Sequence, residues 1–173
     1  MRRFIVLGTL FCLGLLVAGW SVTRAQESTP LPQGAVGITA AVLGATQPAA
    51  ADGYELQLFR SEWEPGSSIS THTHPGALVS CVESGTLSFE IQSGAATVIR
   101  AHGAGTPAPT EAMEVGVPIT YGPGDCVSFD QDAAETAHTA WNAGDETVVL
   151  WEAHLYKAGE PATTFQEQGT PAP

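Results

Sequence analysis

Two histidines one residue apart, His72 and His74, lie in a β-like run, Ile69–His74 (ISTHTH). Side chains alternate across a strand, so both imidazoles leave the backbone on one face. Two imidazoles side by side can hold one metal ion. A third ligand then has to come from another strand, and His138, at the head of the run His138–Asn142 (HTAWN), is the candidate. Imidazole nitrogen suits Fe, Zn, Cu or Ni better than Mg or Ca. Three protein ligands leave coordination positions open for water or a small molecule. Three neutral ligands also leave the ion's double positive charge uncompensated, which favours an anionic or chelating ligand and acidifies a bound water. An isolated HxH pair also occurs in ordinary polar strands, so the surrounding pattern has to decide.

A second place for chemistry is Thr147–Tyr156 (TVVLWEAHLY), the most hydrophobic run of the folded region. Leu150, Glu152, His154 and Tyr156 share one face; Val149, Trp151, Ala153 and Leu155 share the other. The second set is purely apolar and is expected to face the core, which turns Glu152 and His154 outward. The alternative is a barrel with a polar pocket, in which Glu152 and His154 point inward to bind substrate or to support the metal ligands. His102 and Glu83 read as surface residues. Tyr54, Phe59 and Trp63 read as packing, and Trp141 alternates away from His138.

The elements that must position these residues are short β-like runs. They include Gly37–Leu43, Tyr54–Trp63, Ala77–Val82, Thr86–Ile91, Ala96–Arg100, Ile119–Tyr121 and Asp125–Phe129. Turn residues separate them, among them Glu64-Pro65-Gly66, Glu83-Ser84-Gly85, Gly122-Pro123-Gly124 and Asn142-Ala143-Gly144-Asp145. This spacing indicates an all-β sandwich or barrel. No long segment has helical periodicity. His102–Pro118 is the one long irregular stretch, of the kind that is either functional or disordered.

The ends carry other signals. Met1-Arg2-Arg3, the apolar run Phe4–Trp20 and the small residues Thr23 and Ala25 have the form of a secretory signal cut after Ala25. A retained membrane anchor is the alternative, but 17 apolar residues are at the short limit for a span. Residues 26–34 (QESTPLPQG) read as a flexible leader, 35–157 as one β domain, and 158–173 as a disordered tail. Removing 1–25 leaves Arg60, Arg100 and Lys157 against 18 acidic residues, a net charge of −15. That charge argues against nucleic acid and, after cleavage, anionic membrane as partners. A small molecule is the expected ligand.

The spacing of the histidines with the glycines around them resembles the two motifs of the cupin superfamily. Gly66, five residues, His72-Thr73-His74, three residues, Leu78, six residues and Gly85 match the first; Gly124-Asp125, His138 and Asn142 match the second. The resemblance covers Tyr54 to Lys157. It implies an all-β double-stranded β-helix, or jelly-roll barrel, enclosing a ligand cavity, with His72, His74 and His138 as metal ligands. There are three departures. The family's metal-binding glutamate falls on Leu78, Ala133 and Glu135 replace a proline and a glycine, and the gap from Gly124 to His138 is three residues longer. In the cupin jelly roll the strands carrying Cys81 and Cys126 are neighbours, and parity turns both cysteines outward. A disulfide between them is therefore feasible, as are two free thiols. The functions implied are a metal-dependent enzyme such as an oxygenase or isomerase, a non-catalytic binding module, or a structural domain. Cupins often dimerise, and Gly34–Thr46 is a strand that could be added to a neighbouring copy.

Overall fold

The computed structural model describes residues 34–166. The expected signal 1–25, the leader up to 33 and the tail from 167 lie outside them. Eleven strands and one helical turn follow in order: β1 Ala35–Thr46, β2 Tyr54–Thr73, β3 Gly76–Ser84, β4 Leu87–Ser93, β5 Thr97–Ile99, β6 Thr110–Ala112, β7 Ile119–Tyr121, β8 Cys126–Asp130, α1 Gln131–Ala134, β9 Ala137–Trp141, β10 Val148–Lys157 and β11 Thr164–Phe165. They form one antiparallel sheet in the order β6-β5-β8-β3-β10-β2-β9-β4-β7, with β1 and β11 also on β2. The sheet curls on itself into an all-β barrel of jelly-roll type.

β2 makes the curl. Its first half, Tyr54–Trp63, pairs with β10, and its second half, Ser68–His72, pairs with β9. Glu64-Pro65-Gly66, which reads as a turn between two strands, is instead a bend within one strand. Pro65 lacks a ladder N–H. Gly66 adopts φ +77°, open to glycine without strain. Asn142 fastens the bend. Its backbone carbonyl accepts from Gly66 N–H (3.1 Å), and its N–H donates to the Ser67 carbonyl (2.9 Å). Its buried side-chain amide donates to the carbonyls of Trp63 (3.0 Å) and Glu146 (2.8 Å). The sheet thus has two walls joined by one chain. One wall is β5, β8, β3 and β10 with the first half of β2. The other is β7, β4 and β9 with its second half.

Alternation fills the space between the walls. Leu78, Ser80 and Val82 of β3, Val127 and Phe129 of β8, and Phe89 and Ile91 of β4 are buried, as parity requires. Burying each large apolar side chain contributes about 1.5–3 kcal/mol. Cys81 lies opposite Cys126 across β3 and β8 and is bonded to it, with Cα atoms 4.0 Å apart.

Several expectations are corrected. On β10 the mixed face points inward: Leu150, His154 and Tyr156 are buried, whereas Trp151 is 38% exposed and Ala153 is exposed. The apolar set faces out because the interior is a cavity that takes polar side chains. Residues 158–166 are not a structureless tail, since β11 pairs Thr164 and Phe165 with Thr73 and His72. His102–Pro118 contains β6, which pairs with β5, and Met113 is buried beside it. The longer gap before His138 holds α1, N-capped by Asp130, whose carboxylate accepts from Asp132 N–H. Gly34–Thr46 forms β1 on this chain's own β2. Tyr54 does not pack inside; its hydroxyl donates to Asp132 (2.6 Å).

Candidate metal centre

Ile69 faces inward, and three residues later so does His72, which strict alternation forbids. The register shift between Ile69 and His72 explains it: Ile69 pairs with Ala140, and His72 pairs with His138. The extra residue in Ser70–Thr71 is a β-bulge that reverses the parity of the strand end. His72 and His74 are thereby turned into the barrel, and His72 is set directly across from His138. The ring centroids are 4.1 Å apart for His72–His138, 4.8 Å for His72–His74 and 5.1 Å for His74–His138. The potential ligand atoms of the three all lie within 4.8 Å of one another. His72 and His138 are 2% and 3% exposed.

The donor set suits a metal. His72 Nδ1–H donates to the Ser70 carbonyl (2.7 Å) and His74 Nδ1–H to the Ala162 carbonyl (2.6 Å). A carbonyl can only accept, so both rings are held with Nε2 bare, the arrangement that orients metal-ligating histidines. His138 Nδ1 is buried without a hydrogen-bond partner. Burial lowers the pKa of His72, although the Ser70 carbonyl opposes it. The rings of His74 and His138 are held well below the ordinary value, first by burial and then by the neighbouring histidine His72. His74 is half-buried as a residue, but its ring packs against Phe129 and Tyr156. Three imidazoles kept neutral are three available lone pairs.

The opposite wall carries no ligating acid. Leu78 is buried at the cavity and pairs with His154 on β10 and Phe129 on β8. Among the described residues, the only His, Cys, Asp or Glu group that could hold an ion is His72, His74 and His138. Glu152 and His154 point into the same cavity and are bonded to each other, His154 Nε2 to Glu152 Oε2 at 3.1 Å. Ser61 Oγ–H donates to Glu152 Oε1 (3.0 Å), and Trp63 Nε1–H donates to Ser61 Oγ (2.9 Å). The cavity has a volume of about 360 Å³ and is otherwise mostly apolar, with Phe59, Leu87, Phe89 and Leu150 among its lining. Glu83 is on the surface, accepting from Trp151 Nε1–H, and His102 is exposed.

Sequence reasoning missed the segment that closes the cavity. Pro161, Ala162 and Thr163 line it, and the Phe165 ring lies 5.8 Å from that of His72. The available signal was Phe165 itself, the one aromatic residue in 158–173.

The strand order and the inward trio of histidines define an all-β barrel of jelly-roll type with a candidate metal centre. No protein-family model matches the chain, and no curated protein does. Among solved structures it is similar to KdgF from Halomonas sp., at 14% identity and TM-score 0.46 over 73% of this chain and 85% of that one. It is also similar to a single-residue mutant of Bacillus subtilis oxalate decarboxylase, at 22% identity and TM-score 0.42 over 81% of this chain and 30% of that one. A further similar structure concerns the Mn(II) centres of the same decarboxylase, at 21% identity and TM-score 0.41 over 80% of this chain and 30% of the other. The chain thus spans less than a third of the decarboxylase.

Proposed function

We propose that this protein is an exported, metal-binding barrel that presents one divalent ion to a small organic molecule. The observation that carries the reading is the convergence of His72, His74 and His138 on one point of an apolar cavity. His72, His74 and His138 would hold the ion, which when bound supplies Lewis acidity and open coordination positions. The chain's own part is to keep three imidazoles neutral, to orient His72 and His74 through backbone carbonyls, and to surround the site with apolar side chains that thin out competing water. A carboxylate, thiolate or chelating oxygen is the ligand head that fits three neutral donors. Fe, Zn, Cu and Ni suit the nitrogen donors; Mn, named for a similar structure, belongs in the same metal screen. Turnover as an oxygenase or isomerase and capture without chemistry both use this site.

Export is supported by the sequence of residues 1–25 and by the bonded pair Cys81–Cys126, a linkage favoured outside the reducing cytosol. Sequencing the N-terminus of protein recovered from an expressing culture should give Gln26. Pairing of two copies is a second reading. The outer faces of β2, β3 and β10 expose Leu56, Leu58, Val79 and Trp151. A monomer by light scattering at working concentration rejects it.

The metal reading is tested by elemental analysis of mature wild type beside His72→Ala after dialysis against a divalent-metal mixture. Wild type should retain about one ion per chain and the variant almost none. Equal contents in the two proteins reject the site.

A further inference from the structure

Glu152 is an unusual residue to find where it is. It is the only acidic side chain among the described residues lining the cavity, and no lysine or arginine lines it. A carboxylate in an apolar enclosure is costly unless its hydrogen-bonding capacity is used. Its side chain keeps 14% exposure, so it is reachable from within. Ser61 and His154 occupy one position on each oxygen. An ionised carboxylate has about four acceptor positions, so about two stay open. The orientation is built: Trp63 holds Ser61, Ser61 holds Oε1, and His154 holds Oε2 while its own ring stacks on Tyr156 with centroids 4.5 Å apart. The rest of the inward row of β10 is apolar or aromatic apart from His154, and the outward row would serve better as core packing. An apolar residue would pack at that place without the cost of a buried carboxylate.

The geometry points to Glu152 as the recognition point for a cationic ammonium head on the ligand. Together with the metal reading, on which this inference rests, it assigns the ligand class: a small zwitterion, with its anionic head at the histidine group and its ammonium head at Glu152. Charge supports the pairing. An ion held by three neutral imidazoles attracts an anion, and the lone carboxylate on the other wall attracts a cation. A plain acid meets only the first group and a plain amine only the second. The apolar lining admits a short hydrocarbon link between the two heads.

The test uses Zn-loaded mature protein and calorimetric titration with two probe series. One is glycine, 3-aminopropanoate, 4-aminobutanoate and 5-aminopentanoate; the other is acetate, propanoate, butanoate and pentanoate. In wild type at least one amino acid should bind about tenfold or more tighter than the acid of the same chain length, the size expected for a hydrogen bond to a charged group. Glu152→Gln keeps the shape and a hydrogen-bonding oxygen, and should bring that ratio to near one while the plain acids bind as before. A ratio unchanged in Glu152→Gln overturns the inference, as does a wild type without preference for the amine. Equal weakening of both series also overturns it, because it assigns Glu152 a structural role only. If Zn does not load, the metal reading fails separately. Butylamine against butanol on the metal-free protein then decides the ammonium site alone, with tighter butylamine binding in wild type than in Glu152→Gln supporting it and equal binding overturning it. If Glu152→Gln does not fold, the wild-type comparison of 4-aminobutanoate and 5-aminopentanoate with butanoate and pentanoate decides, because these amines are too far from the carboxylate to chelate Zn well.

Discussion

The two walls of the barrel solve opposite electrostatic problems. The wall of β9 and the second half of β2 gathers three bases and keeps them uncharged by burial. The wall of β10 and β3 has Leu78 opposite the histidines and keeps one acid, Glu152, two residues from His154 and tied into a hydrogen-bond chain. Glu152 stands on the strand next to that of Leu78 and lines the same cavity as the histidines. The two walls thus place an acid and three bases in one enclosure without the acid joining the histidine group.

Acid should break the histidine wall first. In metal-free protein the folded pKa of each of the three is lowered, against an unfolded value of about 6.5. Below that pH the unfolded chain binds protons that the folded chain refuses. Stability is therefore complete above about pH 6.5 and is lost as pH falls from there toward the folded values. With up to three protons involved, the slope reaches about 4 kcal/mol per pH unit. Urea unfolding at pH 7.5 and 5.5 measures it, and bound metal should raise stability at both pH values without removing the slope, because a metal-bound imidazole refuses protons as well. A level profile in metal-free protein contradicts the assignment. The ion-paired acids Glu111, Asp125 and Asp132 have lowered pKa values and contribute only in a separate window below about pH 4.5.

The inward direction of β10 can be checked by a neighbouring pair of substitutions. Leu150→Ala should cost about 2–5 kcal/mol by chemical denaturation, because Leu150 is fully buried. Trp151→Ser should cost within about 1 kcal/mol, because that side chain is on the outer face. The reverse order of costs would mean that β10 is flipped.

Truncation after Glu160 sharpens the view that the closing segment belongs to the histidine wall. It removes the carbonyl that orients His74 and the ring beside His72. Metal affinity by competition with a chelator should fall about 10–100-fold, the range seen when groups supporting a ligand are lost. An affinity unchanged by the truncation would make residues 161–166 a mere cover. The smallest effect is expected from Leu78→Met, a volume-conserving change that should alter stability by less than about 1.5 kcal/mol and leave metal content as it is.

The trio His72, His74 and His138 was legible because same-face spacing survives whatever the fold does with the strand. Which face that would be was not legible. It depends on a single extra residue at Ser70–Thr71, and a bulge has no sharp residue signature. The barrel was legible from run lengths and turns. The orientation of β10 was not, because the rule that apolar faces point inward assumes a solid core, and this interior is a site. The order in 161–166 was hidden for another reason. Two residues of strand have no periodicity of their own, and β11 exists because β2 offers an edge to it.

β2 has one more consequence. Ser61, which holds the carboxylate, and His72, which belongs to the histidine group, are set apart by a fixed count of residues along the same strand, through one bend and one bulge. Deleting or inserting a single residue between Gly66 and His72 would leave both walls able to pair, yet it would rotate the imidazoles to the outside. The molecule's tolerance of length change is therefore uneven: its loops can drift while its fold and function persist, but in this short stretch a one-residue indel in the gene would yield a folded barrel with nothing to hold a metal.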